Sequence, residues 1–153
     1  MDIRARLAEN GITLPPAAKA VANYVPVVVA GGMAIVSGQL PLAGGKLAVT
    51  GKLGDGVTVE DGTAAARACF INVLAQIEAH VEGGLDAVAQ VVRLGGFIAA
   101  TADFAEHAKV MNGASDLAVA IFGEAGRHAR STVGVASLPL NAAVEVEGMF
   151  LLR

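Results

Sequence analysis

The stretch that decides the fold is ARSTVGVASLPLNAAVEVEGMF, residues 129–150. Two runs of alternating character flank Leu138-Pro139-Leu140-Asn141, which predicts two strands joined by a turn, a terminal hairpin. Arg130 heads the first run, and Glu145 and Glu147 share one face of the second because strand side chains alternate. A charged side chain inside such a strand faces water, a partner or a ligand, since burying it unpaired costs several kcal/mol. Chemistry is therefore sought first at Arg130, Glu145 and Glu147.

Upstream, residues 2–9 predict a short helix stopped by Asn10-Gly11. Val25–Ala30 and Met33–Ser37 flank Gly31-Gly32, a two-residue hairpin signal because both glycines accept positive φ. The glycine-rich segment Gly44–Gly56 holds a possible third strand around Lys46–Thr50. Thr58 and Asp61 form a capping pair ahead of a helix with Ala66, Phe70, Val73, Leu74, Ile77 and Val81 at helical spacing, stopped by Gly83-Gly84.

Val88–Ala100 reads as a central strand, its Gly95-Gly96 pair suggesting a bulge or a close backbone approach. A second helix is expected from Asp103 and Glu106 to Gly123, with Phe104, Ala108, Met111, Ala118 and Phe122 as its apolar stripe. The order β-β-(β)-α-β-α-β-β gives an α+β domain, a mixed sheet of about six strands with two main helices on one face. The other face then needs a different cover.

The 153 residues suit a single domain, 1–153. Charged residues are only 16% against 54% hydrophobic, which excludes disorder and points to apolar surface covered by another subunit. The net charge of −3 and the absence of any Lys/Arg run leave no footprint for nucleic acid. Ala20–Gly45 is uncharged, but its prolines and glycines argue against a membrane helix. With no secretion-type start and one cysteine, Cys69, the expectation is a cytoplasmic protein.

Taken alone, Arg130 suits either bidentate capture of a carboxylate or a surface or intersubunit ion pair. Glu145 and Glu147 could position water or simply form a solvated or salt-bridged strand face. Ser37-Gly38-Gln39 could line a pocket or form a turn, and no nucleophile elbow surrounds Ser37. His80, His107 and His128 are dispersed, so no metal site is expected, and the glycine pairs match no nucleotide-cofactor motif.

In this order, Tyr24, Ser37-Gly38-Gln39, Asn112, Ala129-Arg130-Ser131, Leu138-Pro139 and Val144-Glu145-Val146-Glu147 resemble the RidA/YjgF family, also labelled endoribonuclease L-PSP. The chain is similar to a longer branch of that family, with residues 1–23 as an N-terminal extension and Thr132 where the short members often carry cysteine. The resemblance implies a chorismate-mutase-like fold assembled as a homotrimer whose sheets form a central barrel. It implies intersubunit clefts that hydrolyse reactive 2-imino acids to 2-oxo acids without a cofactor. Arg130 would clamp the substrate carboxylate and Glu145 would hold the attacking water, with Tyr24, Ser37, Gly38, Asn112 and Thr132 lining the pocket. The alternative is a non-catalytic trimer that binds a small carboxylic acid or a regulatory partner. A ribonuclease is disfavoured by the acidic pI and the lack of a basic, aromatic patch.

Overall fold

The computed structural model describes residues 1–153. A short helix α1 (Ile3–Glu9) is capped by the Asp2 side chain, which accepts from the Ala5 N–H. Strands β1 (Val27–Ala30) and β2 (Met33–Gln39) form the expected hairpin, and Gly31 and Gly32 both take positive φ, 57° and 74°. The segment where a third strand was expected forms two small ribbons outside the main sheet. One joins β3 (Leu42–Ala43) to β4 (Lys46–Leu47), the other β5 (Lys52–Leu53) to β6 (Gly56–Val57).

Helix α2 (Val59–His80) starts where its sequence predicts, with the Thr58 hydroxyl accepting from the Asp61 N–H at 3.1 Å. Its predicted stripe is buried in full. Strand β7 (Val88–Ala99) follows, then helix α3 (His107–Phe122), strand β8 (Ala129–Val135) and strand β9 (Val144–Leu152). Helix α3 begins later than Asp103 suggested. Phe104 stands before it, edge-on to His107 at 5.0 Å, and Ala108 is exposed. Met111, Ala118 and Phe122 are buried as expected, and Val110, Ala114, Leu117 and Ile121 complete the stripe. Gly113 lets α3 lie directly on α2, for a Cβ there would strike the Thr63 carbonyl.

The main sheet has five strands in the order β1-β2-β9-β7-β8, so the expected terminal hairpin does not form. Strand β8 pairs parallel to β7, since α3 carries the chain back across the sheet, as a crossover between parallel strands must. Strand β9 instead inserts between β2 and β7, antiparallel to both. That central place suits a strand whose Val144, Val146 and Phe150 are fully buried. The turn before it, Pro139–Asn141, reverses through positive φ at Leu140 and Asn141.

The bulges of β7 lie near Val88–Arg93, not at the glycine pair. Gly95 and Gly96 are close-approach positions: a Cβ on the first would meet the Glu147 side chain, and one on the second the Met111 sulfur.

Helices α2 and α3 cover one face of the sheet, over Leu94, Ile98, Val144, Val146 and Phe150. Residues 3–12 add Ile3, Leu7 and Ile12 to that core, and burial of each such side chain contributes about 1.5–3 kcal/mol. Arg67 Nη2 of α2 donates to the Asn10 carbonyl (2.9 Å), and the arm that follows is tied to α2 by Gln76 Nε2 donating to the Ala18 carbonyl (2.7 Å). The opposite face is uncovered in the single chain and presents Val28, Ile35, Val133 and Leu151, all more than a third exposed.

Candidate functional site

Arg130 is placed by the β7–β8 register, which sets it beside Leu94 on the helix-covered face. As β8 is an edge strand, the guanidinium reaches past the core to the exposed side of α3. There Nη1 donates to Asn112 Oδ1 (2.8 Å) and Ser115 Oγ (3.0 Å), and Nη2 to the Ala108 carbonyl (3.3 Å). All three acceptors are neutral, and no carboxylate lies within ion-pair distance of Arg130. Of the five N–H donors of an arginine, Nε–H and one Nη2–H remain free, and adjacent donors of this kind match a carboxylate. Thr132 follows on the same face, its hydroxyl buried without a hydrogen-bond partner.

Glu145 pairs with Phe97, three residues along β7 from Leu94, and so faces the opposite side of the sheet from Arg130. Its carboxylate lies over Gly38, at the point where the β2–β9 register breaks between Val36 and Gln39. Any side chain there displaces it: a Cβ on Gly38 would stand 2.8 Å from Glu145 Cδ, and nearer still to Oε1. Burial, and next the charge of Glu147, push the Glu145 carboxyl above the ordinary glutamate value. Glu147 itself meets Arg93 at 3.7 Å.

Ser37 Oγ donates to the Val25 carbonyl at 2.9 Å, which anchors the chain just after Tyr24. Tyr24 and Gly38 line one cavity of about 150 Å³ together with Ala18, Val21, Leu40 and Leu140. The seven residues singled out in the sequence thus form two candidate half-sites. Tyr24, Ser37, Gly38 and Glu145 gather around β2 and β9, while Asn112, Arg130 and Thr132 gather around α3 and β8. Within one chain the two sets do not converge.

Two residues of the second half-site escaped the sequence reading. Ser115 Oγ stands 2.9 Å from His128 Nε2, and His128 Nδ1 stands 2.7 Å from the Gly126 carbonyl. The signal was present: Ser115 follows Asn112 by one helical turn, and His128 precedes Arg130 by one strand repeat. Cys69 is packed beneath β9, its thiol pushed well above the usual value by burial first and by the Glu145 charge second, so it is no nucleophile. No group of three or more His, Cys, Asp or Glu side chains is arranged to hold a metal ion. No helix is long and apolar enough to cross a membrane.

The family described as YjgF/chorismate mutase-like, putative endoribonuclease, matches residues 4–150. The chain belongs to this family. Protein TCP17 of Trypanosoma cruzi is 48% identical over 152 residues, spanning 99% of this chain and 94% of that protein. The crystal structure of Atu1372 from Agrobacterium tumefaciens, a protein of unknown function, is 46% identical and superposes with a TM-score of 0.92, covering 99% of this chain and 92% of that one. Escherichia coli TdcF, solved with bound serine, is more distant: 27% identity, TM-score 0.64, and coverage of 90% and 94%. The family has the mixed α+β, chorismate-mutase-like fold described above.

Proposed function

We propose that this protein hydrolyses reactive 2-imino acids to 2-oxo acids and ammonia, at clefts between the subunits of a homotrimer. The observation that carries the proposal is Arg130, a cation oriented by three neutral acceptors and left with two free donors and no counter-ion. Such a group is built to take an external carboxylate. TdcF, a relative, binds serine, a small molecule with that group.

The placement of Glu145 supports an assembly. Arg130 and Glu145 lie on opposite faces, so one substrate reaches both only if a second copy supplies one half-site. The uncovered sheet face around Ile35, Val133 and Leu151 gives subunits an apolar surface to bury. In this reading the Arg130 half-site of one subunit faces the Tyr24–Glu145 half-site of the next.

The chemistry asks little of the protein. An iminium carbon is already electrophilic, so holding it beside one oriented water supplies much of the rate. Glu145 takes a proton from that water as the C–O bond forms, giving a carbinolamine. The same carboxyl returns the proton to nitrogen, the C–N bond breaks, and the hydroxyl proton leaves with ammonia as ammonium. A carboxyl held above its ordinary pKa is the stronger base for the first step.

The test is hydrolysis of freshly generated 2-iminopropanoate by the wild type and by Arg130→Ala, with sedimentation equilibrium on both. Hydrolysis above buffer that Arg130→Ala abolishes, by particles of three subunits, is the expected result. A wild type that binds 2-oxobutanoate but hydrolyses nothing is a carboxylate binder, and a monomer removes the shared cleft.

A further inference from the structure

We propose that Ser115 and His128 form a positioning relay for Arg130, fixing the guanidinium in the orientation that receives a ligand. Four groups lie in a row: the Gly126 carbonyl, the His128 ring, the Ser115 hydroxyl and Arg130 Nη1, at separations of 2.7, 2.9 and 3.0 Å. The direction of the row follows from its ends. A carbonyl oxygen only accepts, so Nδ1 carries the proton, and whenever the ring is neutral Nε2 is then the acceptor. At the other end a guanidinium only donates. The Ser115 hydroxyl therefore donates a hydrogen bond to Nε2 and turns a lone pair to Nη1.

The far end of the relay is anchored. Gly126 is buried against α3, where a Cβ would stand 2.6 Å from the Ala118 carbonyl carbon and 2.8 Å from Val119 Cα. Gln90 Nε2 donates to the Arg127 carbonyl at 2.7 Å and fixes the next peptide. Without His128, the Ser115 hydroxyl is free to rotate its proton toward Nη1, where it opposes the guanidinium instead of accepting from it. Asn112 and the Ala108 carbonyl then hold Arg130 alone. His128, Ser115 and Arg130 also border one open polar recess of about 440 Å³, so the relay lies at the surface and not in the core.

The effect on affinity rests on Arg130 as the carboxylate clamp proposed above. Calorimetry with 2-oxobutanoate should show about a ten-fold weaker complex for Ser115→Ala and for His128→Phe, the size of one ordinary hydrogen bond. The double variant should be no weaker than either single one, since both break the same row. His128→Gln keeps an acceptor near the Nε2 position and should restore most of the affinity, which a merely space-filling histidine would not require. Equal affinity for His128→Phe and wild type, losses that multiply in the double variant, or no rescue by glutamine would each overturn the relay.

Nitrogen NMR separates its failure from that of the clamp. At about pH 8 the wild-type His128 ring should be in the Nδ1–H form, and the Arg130 Nη1 and Nη2 resonances should be distinct but merge in Ser115→Ala and His128→Phe. If 2-oxobutanoate fails to bind while these signatures hold, the clamp is wrong and the relay stands. An Nε2–H ring overturns the relay whatever binds.

Discussion

Replacing Gly38 by alanine tests the link between fold and chemistry with a single methyl group. The backbone at Gly38 has no positive φ, so alanine is not strained there. What it meets is the Glu145 side chain, with Cδ at 2.8 Å and Cγ at 3.1 Å from the new Cβ. To restore an ordinary 3.4 Å contact, Cδ must retreat by about 0.6 Å and Oε1, nearer still, by about 1 Å. The carboxylate is the flexible end of a half-buried side chain, so it swings aside at a cost of about 1 kcal/mol or less, that of an off-rotamer side chain. A misplacement of about 1 Å in a group that orients water costs about 10²-fold in rate. Gly38→Ala should therefore fold and assemble as the wild type, bind 2-oxobutanoate through Arg130 with little change, and hydrolyse 2-iminopropanoate about a hundred-fold more slowly. Thermal denaturation, calorimetry and single-turnover hydrolysis on the same preparation measure the three quantities. A Gly38→Ala protein that hydrolyses the imine at the wild-type rate would refute the assignment of Glu145 to the attacking water.

Four further outcomes are expected. Arg130→Lys keeps the charge but loses the fork, and should weaken 2-oxobutanoate binding by about 1.5–3 kcal/mol in calorimetry; unchanged affinity would remove the clamp. Glu145→Gln should slow hydrolysis by about 10²–10⁴-fold with binding intact. The raised Glu145 pKa also has a stability consequence: the folded state keeps this proton to higher pH than the unfolded chain, so stability falls as pH rises from the ordinary carboxylate range through the raised value. Glu145→Gln should accordingly be more stable than wild type at pH 7 and no different near pH 3, as read from denaturant midpoints; the opposite order would mean that the charged form is stabilised. Gly113→Ala drives a methyl into the Thr63 carbonyl and should cost about 1–3 kcal/mol by forcing α2 and α3 apart, visible as a lower Tm without loss of the site residues.

Features that depend on a few neighbouring residues were legible in the sequence. Positive φ at Gly31-Gly32 closes the first hairpin, and the Thr58 hydroxyl caps α2. The stripe from Ala66 to Val81 is the core side of that helix, because helical spacing alone places those residues on one face. Charges inside alternating strands, costly without a purpose, also singled out Arg130 and Glu145, and a polar strand end singled out Ser37 and Gly38.

Pairing between distant strands was not legible. Period two says that Glu145 and Glu147 share a face, and that Arg130 and Thr132 share one, but the relation between the two pairs depends on β7. Only the register of β7 with both β8 and β9 puts Arg130 beside Leu94, Glu145 beside Phe97, and the two on opposite faces. The same register removed the terminal hairpin, because α3 returns the chain parallel to β7 and β9 finds its partners between β2 and β7. The Ser115–His128 row joins α3 to the turn before β8, and only their packing sets the Ser115 hydroxyl between His128 and Arg130. Local sequence determined which side chains are out of place in an ordinary strand or helix. Tertiary structure decided which of them meet, because contact between residues far apart in the chain is set by the packing of whole elements and not by the spacing within any one of them.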